Sequence, residues 1–70
     1  MQFEDIIKAI RKKLNITQEQ LARELNISFS TINRWENGHT TPSKLAKMQL
    51  LEFCRNNDVD SNIISELEKY

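Results

Sequence analysis

Two good helix N-caps, Thr17 and Ser28, stand eleven positions apart, and no other feature of this 70-residue chain restricts its fold so tightly. Thr17 is followed three residues later by Gln20, a capping-box pattern in which each side chain satisfies the other's free backbone donor. The helix it opens has a short apolar face, Leu21, Ala22 and Leu25. It must stop near Leu25, because Asn26 and Ile27 lead straight into Ser28, a second N-cap. Two short helices separated by about three residues cannot lie parallel, so they cross at a steep angle.

The helix opened by Ser28 is divided lengthwise. Its period turns Ile32 and Trp35 toward a core, while Ser30, Asn33, Arg34 and Asn37 form a polar strip with Phe29 beside them. Gly38, the only glycine, follows at the position where a left-handed residue ends a helix at least cost. Upstream, Phe3, Ile6, Ile7, Ile10 and Leu14 make one amphipathic stripe, which Asn15 can close in the same conformation. Downstream, Thr41 and Pro42 read as N-cap and first residue of a fourth helix running to about Asn57. Its apolar residues, among them Leu45, Met48, Leu50, Leu51 and Phe53, wrap more than halfway round, which predicts packing on two sides. A polar break over Asp58–Ser61 precedes a last short helix carrying Ile63, Ile64, Leu67 and Tyr70. The chain therefore reads as all-α, one domain over 1–70, with the crossed helix pair over 17–38.

A core of this size leaves little room for a secluded active site. Cys54 is the only cysteine, which excludes an internal disulfide and a cysteine-based metal site; in its apolar run it reads as a small buried hydrophobe. No stretch is long and apolar enough to span a membrane and no signal peptide is evident, so a cytoplasmic location is the expectation. Ten basic and ten acidic residues cancel, but unevenly: residues 1–57 carry nine basic and six acidic side chains, a net of +3, and residues 58–70 carry one and four, a net of −3. A basic body with an acidic tail permits a local positive face on a neutral chain.

The run from Thr17 to Gly38, with Gln18, Leu21-Ala22, Leu25, Ile27-Ser28, Ile32, Trp35-Glu36 and Asn37-Gly38, followed by Pro42, resembles the helix-turn-helix of phage repressor and Cro proteins and the bacterial xenobiotic-response-element regulators. The likeness is strong over residues 3–57 and weaker beyond Asp58. Asn15 and Asn26 stand where that family usually has glycine. The resemblance implies a compact five-helix, lambda-repressor-like DNA-binding fold, double-stranded DNA as partner and a nucleoid-associated transcriptional regulator, repressor-like, of bacterial or phage type. It also implies base-edge contacts in the major groove from Ser28, Phe29, Ser30, Asn33 and Arg34, phosphate contacts from Gln18 and Asn37, and a structural ion pair between Arg11 and Glu36.

The side chains themselves fit those roles. Arg34 can grip guanine bidentately and Asn33 adenine, although either could instead hold a phosphate or stay solvated. Phe29, exposed at the tip of the third helix, suits a thymine methyl unless it folds back on the second helix. Ser28 can be occupied entirely in capping. Gln18 at a helix N-terminus favours a phosphate, and His39, Thr40 and Lys44 follow the reading helix closely enough to grip the backbone. His39 has no companion of metal-ligand type, no nucleophile–base motif or phosphate loop is present, and neither an enzyme nor a cofactor is expected. The surplus apolar surface of the fourth helix, with Ile63, Ile64 and Leu67, is a candidate homodimer face. Two alternatives remain open at this point: a helix-turn-helix repurposed for protein–protein contact, which zero net charge favours, and an antitoxin, a restriction–modification controller or the reading module of a larger enzyme.

Overall fold

The computed structural model describes residues 1–38 and 40–70, so the expectation placed on His39 lies outside the described residues. The described residues form five helices and no strand: α1 (Phe3–Leu14), α2 (Gln18–Leu25), α3 (Phe29–Glu36), α4 (Lys44–Asn56) and α5 (Ser61–Glu68). The starts of α2 and α3 follow local chemistry. Thr17 Oγ1 accepts from the Gln20 N–H at 3.1 Å while the Thr17 N–H donates to Gln20 Oε1 at 2.7 Å, a complete capping box. Ser28 Oγ accepts from the Thr31 N–H at 3.2 Å.

Three helices end by one device. Asn15, Asn26 and Asp58 are all left-handed, each with φ of 55°. The residue after each sends its N–H back to the carbonyl five positions earlier: Ile16 to Arg11 at 3.1 Å, Ile27 to Ala22 at 2.9 Å and Val59 to Cys54 at 3.0 Å. That is the Schellman closure, and the apolar residue after the left-handed one packs back on the helix it terminates. Ile16 and Ile27 pack at the rim of the core and Val59 lies inside it. α3 closes on Gly38, at φ of 79°.

The core gathers one face of every helix: Phe3, Ile6, Ile7 and Ile10 of α1, Leu21, Ala22 and Leu25 of α2, Ile32 and Trp35 of α3, Leu50, Phe53 and Cys54 of α4, and Leu67 of α5. Phe3 meets Trp35 nearly edge-on, with ring centroids 5.4 Å apart and planes at 71°. Each fully buried Ile or Leu contributes about 1.5–3 kcal/mol relative to exposure. Burial raises the Cys54 thiol to about 11, so it stays protonated and apolar in the core.

The structure corrects four readings. The fourth helix does not start at Thr41-Pro42. Its N-cap is Ser43, whose Oγ accepts from the Ala46 N–H at 3.1 Å, and its first residue is Lys44. Thr41 and Ser43 both carry a side-chain oxygen suited to that role, and the structure uses Ser43. Helix α4 does not bury two sides either: Leu50, Phe53 and Cys54 are covered, while Leu45 and Met48 stay 67% and 57% exposed. Val59, inside the expected polar break, is a core residue, carried inward by the Asp58 turn. Leu67 is fully buried among core residues, which removes it from the candidate dimer face and leaves Ile63 and Ile64 half-buried beside it.

Candidate nucleic-acid interface

Helix α3 lies against α1 and α2 and turns Ile32 and Trp35 inward. Burying that face obliges the opposite one to point outward, where Phe29, Ser30, Asn33, Arg34 and Asn37 are all exposed, and the N-cap Ser28 is exposed at its start. Arg34 has no carboxylate within ion-pair distance among the described residues, so its full donor fork faces solvent. Phe29 is 49% exposed. It lines a hollow with Thr17 and Gln18 at the start of α2. Ser28 is the most constrained member. Besides its cap, its hydroxyl is shared with Thr31 Oγ1 at 2.8 Å and Ser30 Oγ at 3.1 Å. That network ties Ser30 to the start of the helix and leaves Ser28 little capacity for another partner.

The far end of α3 is fixed by a charge pair. Glu36 is 6% exposed, and Arg11 of α1 meets it with two parallel bonds, Nε to Oε2 at 2.5 Å and Nη2 to Oε1 at 2.8 Å. The remaining guanidinium nitrogen, Nη1, donates to the Ile16 carbonyl at 3.2 Å. One arginine therefore locks α1, the turn before α2 and the end of α3 together. Burial pushes the Glu36 carboxyl up, but the hydrogen bonds from Arg11, the nearby Gln18 amide and the positive charges of Arg11 and Lys8 outweigh it, so its pKa lies below the ordinary value. The hydrogen bond to Glu36 holds Arg11 above its ordinary value, against the cost of desolvation.

This geometry relates the phosphate candidates to one another. Gln18, the first residue of α2, is within polar reach of Glu36, and Asn37 follows Glu36 in the chain, so both sit at the same corner. Thr40 is exposed beyond α3, and Lys44 is exposed as the first residue of α4. A cation there opposes the helix dipole, a local cost that a bound phosphate would remove. Two contributors escaped the sequence reading. Lys8 stands one helical turn before Arg11, close enough to act on Glu36, and the i, i+3 spacing of two cations was its available signal. Glu4 packs so closely on Gly38 that a Cβ at that position would lie 2.5 Å from its Oε2, and no local pattern announces that contact.

A profile of the helix-turn-helix family matches residues 7–54, more than half of the chain, from within α1 through α2 and α3 to the buried part of α4. The chain belongs to the helix-turn-helix family of Cro/C1 type. This helix-turn-helix chain is 45% identical over 51 residues to the Type II methyltransferase M1.ScrFI of Lactococcus lactis subsp. cremoris, an alignment covering 69% of the chain and 13% of that protein. It is 40% identical over 43 residues to the HTH-type transcriptional activator BcrR of Enterococcus faecalis, covering 61% of the chain and 21% of that protein. The chain thus spans less than a quarter of the length of either relative, and the methyltransferase likeness is confined to a small part of that enzyme. No solved structure matches the chain. The family is typically one of non-enzymatic regulators, and no helix among the described residues is long and apolar enough to cross a membrane.

Proposed function

We propose that this chain is a sequence-specific reader of duplex DNA that serves a transcriptional regulator, with α3 entering the major groove. The observation that carries the reading is the outward face of α3: a contiguous strip of Ser30, Asn33 and Arg34 with a half-exposed Phe29, on a helix whose opposite face is locked in the core. Arg34 would read guanine and Asn33 adenine, Phe29 would meet a thymine methyl, and Ser30 would assist. Gln18, Asn37, Thr40 and Lys44 would hold phosphates on either side and set the docking angle. His39 belongs to this proposal through the sequence alone. Residues 1–70 would act as one domain, with 17–38 as the reading unit.

A module of this size contacts few base pairs and gains affinity by pairing across a two-fold axis. The exposed Leu45 and Met48 of α4 and the half-buried Ile63 and Ile64 of α5 are the surface we assign to a second copy. The relatives bracket the biological setting. One is a transcriptional activator and the other a Type II methyltransferase, so both a promoter and the control or targeting of a DNA-modifying enzyme suit this reading. A repressor acting by occupancy remains the simplest assignment for the isolated module.

The test is selection from a randomised duplex pool at low and moderate salt, repeated with Arg34→Ala. Enrichment of a two-fold symmetric site, with loss of preference at one base in the variant, is the expected result. No retention at low salt would sink the reading and shift it to a protein-binding helix-turn-helix.

A further inference from the structure

Among the seven asparagines, Asn37 alone is followed by glycine. Asn15, Asn26 and Asn62 precede Ile, Asn33 precedes Arg34 inside α3, and Asn56 and Asn57 precede Asn and Asp. A glycine leaves the next backbone nitrogen unshielded, because no side chain stands between it and the asparagine amide. The structure adds three observations. Asn37 is exposed, and its side-chain amide has no hydrogen bond to another described residue, whereas the Asn57 amide donates to the Phe53 carbonyl at 2.8 Å. Among the described residues the Gly38 N–H is held by the Trp35 carbonyl at 3.4 Å, a long bond at the end of a helix, and the Glu4 carboxylate of α1 packs on Gly38. Asn37 itself sits at ψ of −1°, which keeps that nitrogen off the side-chain carbon, so reaction requires the helix end to open. Helix ends held by such bonds open at little cost.

We infer that Asn37-Gly38 is a self-modifying site that converts an amide at the phosphate-holding corner of α3 into a carboxylate. The Gly38 nitrogen attacks Asn37 Cγ. A bond forms between them, the Cγ–Nδ2 bond breaks, and the Gly38 amide proton leaves with the side-chain nitrogen as ammonia. Water then opens the resulting cyclic imide at either carbonyl, giving aspartate or isoaspartate, with no oxidation or reduction in the sequence. The rate climbs with pH, since the attacking nitrogen must lose its proton.

The place of the new charge decides its effect. It stands next to Glu36 in the chain and at the C-terminal end of α3, where the helix dipole already disfavours an anion. It also lies where the proposed function has Asn37 hold a phosphate, and this consequence rests on that reading. Loss of one contact and addition of one repulsion lower duplex affinity by about tenfold at low salt. A phosphate seated on Asn37 holds the helix end closed, so the reaction belongs to the unbound protein.

The experiment incubates the whole chain in mildly alkaline buffer, with and without the random-sequence duplex pool, and follows peptide masses and isoaspartate over time. Fresh and aged samples are then compared for retention on the same pool. The expected result is conversion at position 37 ahead of every other asparagine, slowed by duplex, with Asn37→Gln unconverted and Asn37→Asp retained as weakly as the aged protein. An intact Asn37 at a time when Asn57 or Asn15 has converted overturns the site. Conversion that leaves retention equal to that of the fresh protein overturns its effect on the interface. Fresh protein that fails to bind at all refutes the DNA reading and the consequence drawn from it, while the mass map still decides the modification.

Discussion

At the scale of single residues, the Arg11–Glu36 pair is where the physical argument is sharpest. Glu36 is nearly buried and Arg11 is a quarter exposed, so removing one partner leaves an inadequately solvated charge. Arg11→Met costs about 2–3 kcal/mol, somewhat less than the loss of a wholly buried partner, and urea unfolding measures it. The pH dependence follows from the sign of the shift. A carboxyl whose pKa is lower folded than unfolded stabilises fully above its unfolded value, near 4.5 for Glu36, and that contribution is lost as pH falls through the folded value. Wild-type stability therefore declines as the solution is acidified below that point. Glu36→Gln is less stable at neutral pH and declines less steeply. Part of the slope survives in the variant because Glu66, paired with the Met1 amine and Lys69, is also depressed, to about 2. Phe29 makes the opposite case. Phe29→Ala changes folding stability by less than about 1 kcal/mol, since half of the ring is already in water, but weakens duplex binding by about 1 kcal/mol through the apolar contact it loses. Thermal unfolding and duplex titration separate the two effects; an equal loss in both would assign Phe29 to the core.

At the scale of elements, what was legible in the sequence was whatever local chemistry decides. The capping box at Thr17 and Gln20 needs no tertiary information, and neither does the left-handed ending at Asn15 or Asn26. The start of α4 was not legible, because Thr41 and Ser43 are both competent caps and no local pattern chooses between them. Stability distinguishes the candidates: Ser43→Ala costs about 1 kcal/mol as a lost N-cap, and Thr41→Ala is close to neutral. Denaturant midpoints of the two variants decide between them, and a larger loss at Thr41 would return the cap to that residue. Val59 was missed for a different reason. A single apolar residue in a polar run carries no periodicity. Its signal was a repeat across elements, Asn15-Ile16, Asn26-Ile27 and Asp58-Val59, in which a left-handed residue is followed by a β-branched one that packs back. For the candidate interface, the outward strip of α3 could be read from the period of Ile32 and Trp35 alone. The proximity of Lys8, Gln18 and Glu36 could not, since it depends on how α1 and α2 meet the end of α3.

For the molecule as a whole, the question is how a chain with no net charge could present the positive face that the proposed function requires. Helix α5 answers it through its partners. Asp60 pairs with Lys13 at 3.4 Å, Glu68 with Arg55 at 3.2 Å, and the carbonyls of Glu68 and Tyr70 accept from Lys47. These contacts engage three cations of α1 and α4 within the protein, while Lys8, Lys12, Arg23, Arg34 and Lys44 have no ion-pair partner among the described residues. The acidic tail noted in the sequence thus engages cations of α1 and α4 and leaves Arg34 of α3, with Lys8 and Lys44, outside any ion pair among the described residues. Exposed pairs of this kind add little to stability, so their larger effect is on the direction of the field. If the cations left unpaired are those that displace counterions from DNA, the salt dependence of binding must distinguish the two groups. Lys44→Ala lowers the slope of log affinity against log salt by about one, whereas Arg55→Ala and Lys13→Ala leave it unchanged within about 0.3. Affinities measured over a salt series for the three variants provide the comparison. Equal changes in slope would mean that the protein docks with its α4–α5 side against the phosphates, which would contradict the orientation proposed for α3.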